Sequence, residues 1–388
     1  MLNVQSPRRQ SVPSHAVYDR WFLSAVLGLI LVGLMMVASS SVMMATKNYH
    51  QPFYFLIRQS AYLSIGIVFA MIVMRTDTKF WQDHSVKLLL ICLVLMIAVL
   101  IPGIGRMVNG SRRWLSLGPI GIQVSELAKL LVILYMSSYL VRQSQRNTQQ
   151  ILGFVKPMMV LAVIAALLLK EPDFGATVVI VSTVMMMLFL SGVRWIYYII
   201  LIIVVATAMG CLAIASPYRV ARLTAFLDPW ADQFKTGYQL TQALIAFGRG
   251  GWFGVGLGDS VQKMFYLPEA HTDFLFAVLA EEMGFIGILM VMSLYGLLFW
   301  RGFAIGFQAF QQNRLYAAYV AYGITCWLVF QALINMGVNS GLLPTKGLTL
   351  PFLSYGGASL VVNCVVIALL LRIDHENRWF ALGLRTHL

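Results

Sequence analysis

Charged side chains are scarce in this sequence. Only 11% of its 388 residues are Asp, Glu, Lys or Arg, whereas 59% are hydrophobic. Soluble domains contain roughly 25% charged residues on average, so this composition excludes a water-soluble globular protein. Apolar runs long enough to cross a bilayer as helices recur along the chain, and they lack the alternating polar pattern of membrane β-strands. The sequence therefore predicts a bundle of membrane-spanning helices.

Cysteine is also rare, and its four residues all lie within apolar runs. No two of them form a CxxC pair, and no histidine stands near one at the spacing of metal ligands. They are predicted to be buried packing residues: Cys92, Cys211, Cys326 and Cys364. The chain likewise lacks a basic groove studded with aromatic residues. Its net charge of +13 therefore does not indicate binding to nucleic acid, and no nucleic-acid partner is expected.

Ten apolar segments are predicted to span the membrane, with an error of a few residues at each boundary. They are 21–43, 55–74, 86–101, 126–141, 157–169, 174–190, 195–214, 274–300, 316–338 and 352–371. The polar start of the chain lacks the layout of a cleavable signal peptide, so the first span is expected to be an uncleaved anchor. The predicted fold class is an all-α polytopic membrane protein with about ten transmembrane helices and one large structured extracytoplasmic loop, 216–272.

Basic residues are distributed unevenly between the two ends of these spans. Fifteen of the 28 Lys and Arg residues fall on the side of the termini, and six fall in the short loops of the opposite side. Loops rich in Lys and Arg stay in the cytoplasm. Both termini are therefore predicted to be cytoplasmic tails, 1–20 and 373–388, around a membrane domain of residues 21–372. The acidic residues are biased the other way, and a functional outer face is one candidate explanation.

The long outer loop ends at Asp273, the strongest candidate for a catalytic residue. Thr272 is predicted to cap the eighth span, which places Asp273 in its first turn. An aspartate there can stabilise the helix N-terminus, or it can stay ionised and act as a base at neutral pH. Glu281 and Glu282 follow about 12 Å deeper, where ionisable groups face either a partner or a cavity. The spacing alone leaves these interpretations open.

Polar residues, most of them cations, are predicted to share the outer face with Asp273. Lys129 lies three residues after Glu126 in the fourth span, and it can form a local ion pair or bind a phosphate at the membrane surface. The other candidates for contacting an anionic substrate are Arg112, Arg113, Arg219, Arg222, Lys346 and Ser354. A carboxylate base beside such cations suits a glycosyl transfer that displaces a lipid-linked pyrophosphate. A transporter also predicts charges within the membrane, but the paired repeats typical of transporters are lacking.

Five stretches of the sequence resemble the SEDS family (shape, elongation, division and sporulation), and the resemblance covers about residues 19–372. They are 110–117 (GSRRWLSL), 125–129 (SELAK), 171–175 (EPDFG), 268–282 (PEAHTDFLFAVLAEE) and 343–357 (LLPTKGLTLPFLSYGG). Within the family, 227–232 (LDPWAD) and 237–240 (GYQL) look like the division branch rather than the elongation branch.

This resemblance implies a peptidoglycan glycosyltransferase that polymerises lipid II, the undecaprenyl-pyrophosphate disaccharide-pentapeptide, at the division septum of the bacterial inner membrane. It implies that Asp273 is the essential aspartate and that Arg112, Arg113 and Lys129 are functional cations. It also implies a cognate class B penicillin-binding protein and other division membrane proteins as partners. A lipid II flippase and a division scaffold stay open as alternatives. No ligand cluster in the sequence specifies a metal, so a divalent cation, Mg²⁺ or Mn²⁺, is a secondary expectation and no other cofactor is predicted.

Overall fold

A computed structural model describes residues 18–108, 111–117, 120–145, 151–193, 195–214, 220 and 224–383. Its helices are α1 (Arg20–Tyr49), α2 (Tyr54–Met74), α3 (Thr78–Leu100), α4 (Val124–Gln145), α5 (Ile151–Lys170), α6 (Phe174–Leu190), α7 (Trp195–Ile214), α8 (Tyr238–Gly250), α9 (Leu275–Gln311), α10 (Leu315–Asn339) and α11 (Gly357–Ala381). A π-helical turn, Gln262–Tyr266, lies between α8 and α9. Each predicted span overlaps one helix, from α1 to α7 and from α9 to α11.

Seven of these helices are long and apolar enough to cross a membrane, as judged by length and composition. They are α1 to α4 and α9 to α11. Two further apolar stretches are shorter, Phe174–Leu190 in α6 and Trp195–Ala208 in α7. The prediction of an all-α polytopic membrane protein is therefore confirmed, whereas the number of ten spans stays a prediction.

A small sheet lies between α3 and α4. Its antiparallel strands are β1 (Gly105–Val108), β2 (Ser111–Leu117) and β3 (Ile120–Gln123), in that spatial order. The sequence pattern does not predict this sheet, because short polar strands give no clear alternation of apolar and polar residues. The middle strand carries Arg112 and Arg113, so the sheet fixes where these two cations lie.

The helices differ in how much of their apolar surface is covered by protein. In the most apolar stretch of α4, 83% of the residues are buried, compared with 17% in α2. Large apolar side chains on α2, such as Ile57 and Phe69, are exposed. An apolar helix surface that no protein covers faces lipid in a membrane bundle. We infer that α4, α10 and α11 form the centre of the bundle and that α2 lies at its lipid-facing edge.

The burial of each cysteine also depends on how much of its helix is covered by protein. Cys92, Cys326 and Cys364 are buried, as predicted. Cys211 on α7 is exposed, so the prediction that it is a buried packing residue is wrong. The reason is that α7 leaves much of its apolar surface uncovered, with Ile203 59% exposed.

Charged residues gather where the chain is predicted to meet the cytoplasm. Ion pairs there join α1, α3, α9, α10 and α11 at one end of the bundle. They are Asp19–Arg301, Asp77–Arg372 and Glu376–Arg314. Each pair connects residues that the charge distribution assigns to the same side, so the fold is consistent with the predicted alternation of the spans.

Candidate active site at the outer face

Asp273 is part-exposed and lies at the entry to α9. That helix begins at Leu275 with Phe274 at the N-cap position, so the prediction that Thr272 caps it is wrong. The Thr272 hydroxyl instead lies 2.6 Å from the Glu269 carboxylate, a local hydrogen bond that competes with capping. The turn that precedes α9, rather than the first turn of the helix, therefore positions Asp273.

Two buried asparagines of α10 hold the backbone of Asp273. The Nδ2 atoms of Asn335 and Asn339 donate to the Asp273 carbonyl oxygen at 2.9 and 3.0 Å. Asn339 Oδ1 also accepts from the N–H of Ala277, in the first turn of α9, at 3.1 Å. Asn335 and Asn339 are 1% and 0% exposed. The candidate base is therefore attached to a backbone segment that cannot shift without breaking buried hydrogen bonds.

The loop 343–356 lies beside the Asp273 carboxylate. A Cβ atom built on Gly347 would be 2.8 Å from Asp273 Oδ2, so the side chain is in contact with the loop backbone. Asn335 Nδ2 holds this loop as well, because it donates to the Leu348 carbonyl at 2.6 Å. Lys346, the neighbour of Gly347, places its Nζ 4.1 Å from the ring centroid of Phe174. The loop 343–356 therefore carries Lys346 and also contacts Asp273.

Arg113 connects the sheet to the turn between α5 and α6. Its Nε donates to the Glu171 carbonyl at 3.1 Å, its Nη2 donates to the Pro172 carbonyl, and its Nη1 lies 3.9 Å from Asp173 Oδ1. The neighbouring Arg112 donates to the Leu100 carbonyl at 3.3 Å instead. Because Asp173 caps α6 and Phe174 is its first residue, Arg113 and Lys346 both contact the start of this helix.

The carboxyl group of Glu171 is completely buried in this turn. Neither of its oxygens has a hydrogen-bond partner among the described residues. Burial, followed by repulsion from Asp173, raises the pKa of Glu171 to about 8, although the nearby Arg113 lowers it. Glu171 therefore keeps its proton more readily than an exposed glutamate does, and it contributes less negative charge to this face at neutral pH.

Lys129 lies inside the bundle and is 1% exposed. Its Nζ donates to Glu126 Oε1 at 2.8 Å and to Gln331 Oε1 at 2.7 Å, and it lies 4.9 Å from the Trp327 ring centroid. Gln331 in turn donates to the carbonyl of Thr349, in the loop beside Asp273, at 2.9 Å. Of the two interpretations, the local ion pair is the one present. Direct contacts of Lys129 and Glu126 with substrate stay predictions.

Ser354 is buried within its own loop. Its hydroxyl oxygen accepts from the N–H of Leu350 at 2.9 Å, and its carbonyl accepts from Gln59 Nε2 at 3.2 Å. The contact of Ser354 with substrate stays a prediction. Arg219 and Arg222 lie outside the described residues.

Glu281 and Glu282 bind other residues of this chain. Glu281 accepts hydrogen bonds from the Ser260 hydroxyl and, at 3.1 Å, from the N–H of Val261. Glu282 lies 2.7 Å from Lys263 Nζ. Both carboxylates are buried and both bind the end of the long outer loop. Their charges therefore anchor this loop to α9.

The long loop also supplies hydrogen-bond partners for backbone groups at a break in α9. Gly284 adopts a φ of 64°, which interrupts the helix. The backbone groups freed by the break pair with the loop. The N–H of Phe285 donates to the backbone carbonyl of Gly251 at 3.0 Å, and the N–H of Val255 donates to the backbone carbonyl of Glu281 at 3.0 Å. Irregular backbone at membrane depth needs such partners, because lipid offers none. The break and the loop therefore form one unit.

The polar side chains that organise this site were not predicted from the sequence. Gln331, Asn335 and Asn339 are spaced four residues apart on α10, so they share one helix face. All three are buried and bind the loop 343–356 or Asp273. Uncharged polar residues repeated at this spacing within an apolar span are the signal that could have revealed them.

Close relatives of this chain carry names that refer to cell-wall synthesis. It is 66% identical over 370 residues to the probable peptidoglycan glycosyltransferase FtsW of Legionella pneumophila. The aligned region covers 95% of this chain and 94% of that protein. It is 54% identical over 360 residues to the probable peptidoglycan glycosyltransferase FtsW of Coxiella burnetii, with coverage of 93% and 97%.

Solved structures share the fold over nearly the whole chain. A structure described as "Structural coordination of polymerization and crosslinking by a peptidoglycan synthase complex" contains a chain that matches with a TM-score of 0.77 and 28% identity, over 93% of this chain and 98% of that one. The rod shape determining protein RodA of Thermus thermophilus matches with a TM-score of 0.69 and 28% identity, over 95% and 99%. A family model described as a cell cycle protein, FtsW/RodA/SpoVE, matches residues 20–379. The chain belongs to the FtsW, RodA and SpoVE family of cell cycle proteins.

Proposed function

We propose that this chain is a peptidoglycan glycosyltransferase that polymerises lipid II into glycan strands for the division septum, with Asp273 as its catalytic base. The observation that carries the proposal is the placement of Asp273. It is a part-exposed carboxylate with a clamped backbone, at the end of the bundle opposite the Asp19 and Arg372 ion pairs, in a chain 66% identical to a probable peptidoglycan glycosyltransferase.

The chemistry is an inverting glycosyl transfer. The Asp273 carboxylate accepts the proton of the acceptor sugar hydroxyl while that oxygen forms a bond to the anomeric carbon of the donor. The bond from this carbon to the pyrophosphate breaks, and the lipid pyrophosphate leaves with the electron pair. Lys346, Arg112 and Arg113 supply positive charge for this leaving group. Arg219 and Arg222 are further candidates for the same role.

A divalent cation could share this charge with the side chains of the site. Among the residues that the structure describes, no three His, Cys, Asp or Glu side chains lie together as a metal-binding group. We therefore assign no residue as a metal ligand.

The proposed setting is the bacterial inner membrane at the septum, with both termini in the cytoplasm. The partner is a cognate class B penicillin-binding protein, a transpeptidase that crosslinks the new strands, together with other division membrane proteins. Two observations support this setting: the excess of Lys and Arg on the side of the termini, and the similarity to a chain of a peptidoglycan synthase complex.

The test is reconstitution of the purified chain with its class B penicillin-binding protein in vesicles supplied with lipid II. The wild type is expected to form glycan strands, and Asp273→Asn is expected to form none, because an amide cannot accept the proton. Asp259→Asn is the matched control, since Asp259 is an exposed aspartate of the same outer loop.

Strand formation by Asp273→Asn at the wild-type rate would show that Asp273 is not the base. Lipid II scrambling without strand formation in every reconstitution would favour the flippase. A division scaffold would instead predict that cells carrying Asp273→Asn divide normally.

A further inference from the structure

Arg58 is a cation that the proposed reaction does not use. It lies on α2, close to the start of that helix, and it is part-exposed. Within the described part of the chain, no carboxylate lies within ion-pair distance of its guanidinium. The other membrane arginines named above, Arg301, Arg314 and Arg372, each pair with a carboxylate. Arg58 therefore carries a positive charge that no carboxylate of the described residues neutralises.

Tyrosine hydroxyls hold this guanidinium in place. Arg58 Nη1 donates to the Tyr54 hydroxyl oxygen at 3.0 Å, and Nη2 donates to the Tyr62 hydroxyl oxygen at 3.0 Å. Tyr54 and Tyr62 lie four residues to either side, on the same helix face. Tyr355 belongs to the same aromatic group, since the ring centroid of Phe55 lies 5.4 Å from that of Tyr54 and 5.0 Å from that of Tyr355. These four residues, Tyr54, Arg58, Tyr62 and Tyr355, are called the Arg58 cluster below.

In the Arg58 cluster, hydrogen-bond donors outnumber acceptors, because the only acceptors are the phenol oxygens. A guanidinium has five N–H donors, and two of those of Arg58 are used by the tyrosines. Each phenol that accepts from Arg58 still has its own O–H to donate. A set of donors around a fixed positive charge requires a ligand that is rich in anionic oxygen, and a phosphate group meets this requirement.

The start of α11, which lies next to the Arg58 cluster, also favours an anion. The Tyr62 ring packs over the first residue of α11, since a Cβ atom on Gly357 would meet that ring. The N-cap residue of α11 is Gly356, which has no side chain to cap the helix, and its own N–H donates to Gln59 Oε1 at 3.4 Å. The N-terminal end of a helix carries partial positive charge and free N–H groups, which favour an anion.

The position of the Arg58 cluster identifies the kind of molecule that would carry this phosphate. Arg58 is the fifth residue of α2, so it lies about 6 Å from the helix start, at the depth of lipid headgroups. The adjacent Ile57 is 62% exposed and faces the lipid side of α2. Arginines near span ends commonly reach toward headgroups, but Arg58 is held between two phenols rather than extended freely. An amphiphile could therefore place its tail along α2 and its headgroup at Arg58.

We propose that the Arg58 cluster binds the phosphate headgroup of an anionic lipid at the outer end of α2. Two sources share this chemistry: a polyprenyl pyrophosphate, which is the leaving group of the proposed reaction, and a phospholipid with an anionic headgroup. The binding is a property of the resting protein. It is therefore measured without turnover, and its failure would leave the proposed glycosyl transfer intact.

The experiment titrates the purified full chain in detergent with single lipids and counts bound lipids by native mass spectrometry. The probes are a long-chain polyprenyl pyrophosphate, phosphatidylglycerol and, as an uncharged reference, diacylglycerol. Arg58→Gln is expected to weaken the preferred anionic lipid about tenfold or more, the effect of losing charged hydrogen bonds. Arg106→Gln is the matched control, because it removes an exposed arginine of the same outer face.

The lipid that loses affinity in Arg58→Gln identifies the source of the phosphate. Should Arg58→Gln misfold, Tyr54→Phe with Tyr62→Phe keeps both rings and the charge, and it is expected to weaken the same lipid by a smaller factor. The proposal is overturned if the Arg58 and Arg106 variants bind both anionic lipids equally tightly, or if the wild type does not prefer them to diacylglycerol.

Discussion

The Asp273 carboxylate is in direct contact with the backbone of Gly347. A Cβ atom on Gly347 would stand 2.8 Å from Asp273 Oδ2, closer than real Cβ contacts allow. The absence of a side chain at Gly347 therefore leaves the room in which the proposed base sits. The neighbouring Lys346 belongs to the same loop, so the loop that admits the base also carries a candidate cation.

Replacing Gly347 with alanine is expected to impair catalysis more than folding. The atom displaced by the new methyl group is the end of a side chain, so the backbone can stay in place while the carboxylate shifts. A displacement of about 1 Å at a reacting group can lower a rate by up to about 100-fold. Glycan strand formation and thermal unfolding of Gly347→Ala would be measured side by side. Gly296→Ala, which adds a methyl group in open space, is the control. Wild-type polymerisation by Gly347→Ala would contradict the contact's importance.

Asn339→Ala is expected to reduce both stability and activity. It removes the acceptor of the Ala277 N–H, and a buried group left unpaired costs about 1–3 kcal/mol of unfolding free energy. It also removes one of the two donors to the Asp273 carbonyl, which keeps only its hydrogen bond from Asn335. Because the change moves the base rather than the substrate sites, kcat should fall while KM for lipid II changes little. The control is Asn363→Ala, since Asn363 is equally buried but one of its side-chain atoms has no partner. Equal kinetics in the two variants would disprove a positioning role for Asn339.

Lys129→Met is expected to destabilise the protein strongly, because it leaves the Glu126 carboxylate buried without its cation. Breaking a buried pair on one side costs about 3–5 kcal/mol. The double variant Lys129→Met with Glu126→Gln removes both charges, so its thermal stability should recover. Polymerisation then distinguishes two roles. Activity that returns with stability makes Lys129 a structural residue, whereas activity that stays lost in the stable double variant supports its predicted contact with phosphate.

Glu171→Gln is expected to change how stability depends on pH. The pKa of Glu171 is raised from 4.5 to about 8 by burial and by Asp173, so the folded protein holds this proton when the unfolded chain has released it. The resulting stability is complete below pH 4.5 and is lost as the pH rises toward 8. Glutamine resembles the protonated acid and avoids this loss. Across this range the variant should therefore gain up to about 1.4 kcal/mol per pH unit over the wild type. Melting curves between pH 5.5 and 8.5, with Asp259→Asn as the control, would reveal the difference, and parallel curves would refute it.

Most of the fold was predictable because each membrane helix needs a long apolar run, which is visible in the composition of the sequence. Each predicted span overlaps a helix, and the side to which Asp19 and Arg301 were assigned agrees with their pairing. Predictions that depended on local rules were less accurate. Thr272 does not cap α9, since Glu269 three residues earlier competes for its hydroxyl. The last helix begins at Gly357 rather than near residue 352, because Ser354 bonds within its own turn.

The sequence by itself determined the membrane class, the position of Asp273 at the end of the long loop between two helices, and the family to which the chain belongs. These follow from apolar length, from charge placement and from local motifs, all of which are properties of neighbouring residues. Only the tertiary structure decided which partners each polar group has. Lys129 is paired inside the bundle, Asn335 and Asn339 hold the base from another helix, and Arg58 meets phenols and no carboxylate in the described part of the chain. Such partners come from residues far apart in the chain, so they form only when the helices pack.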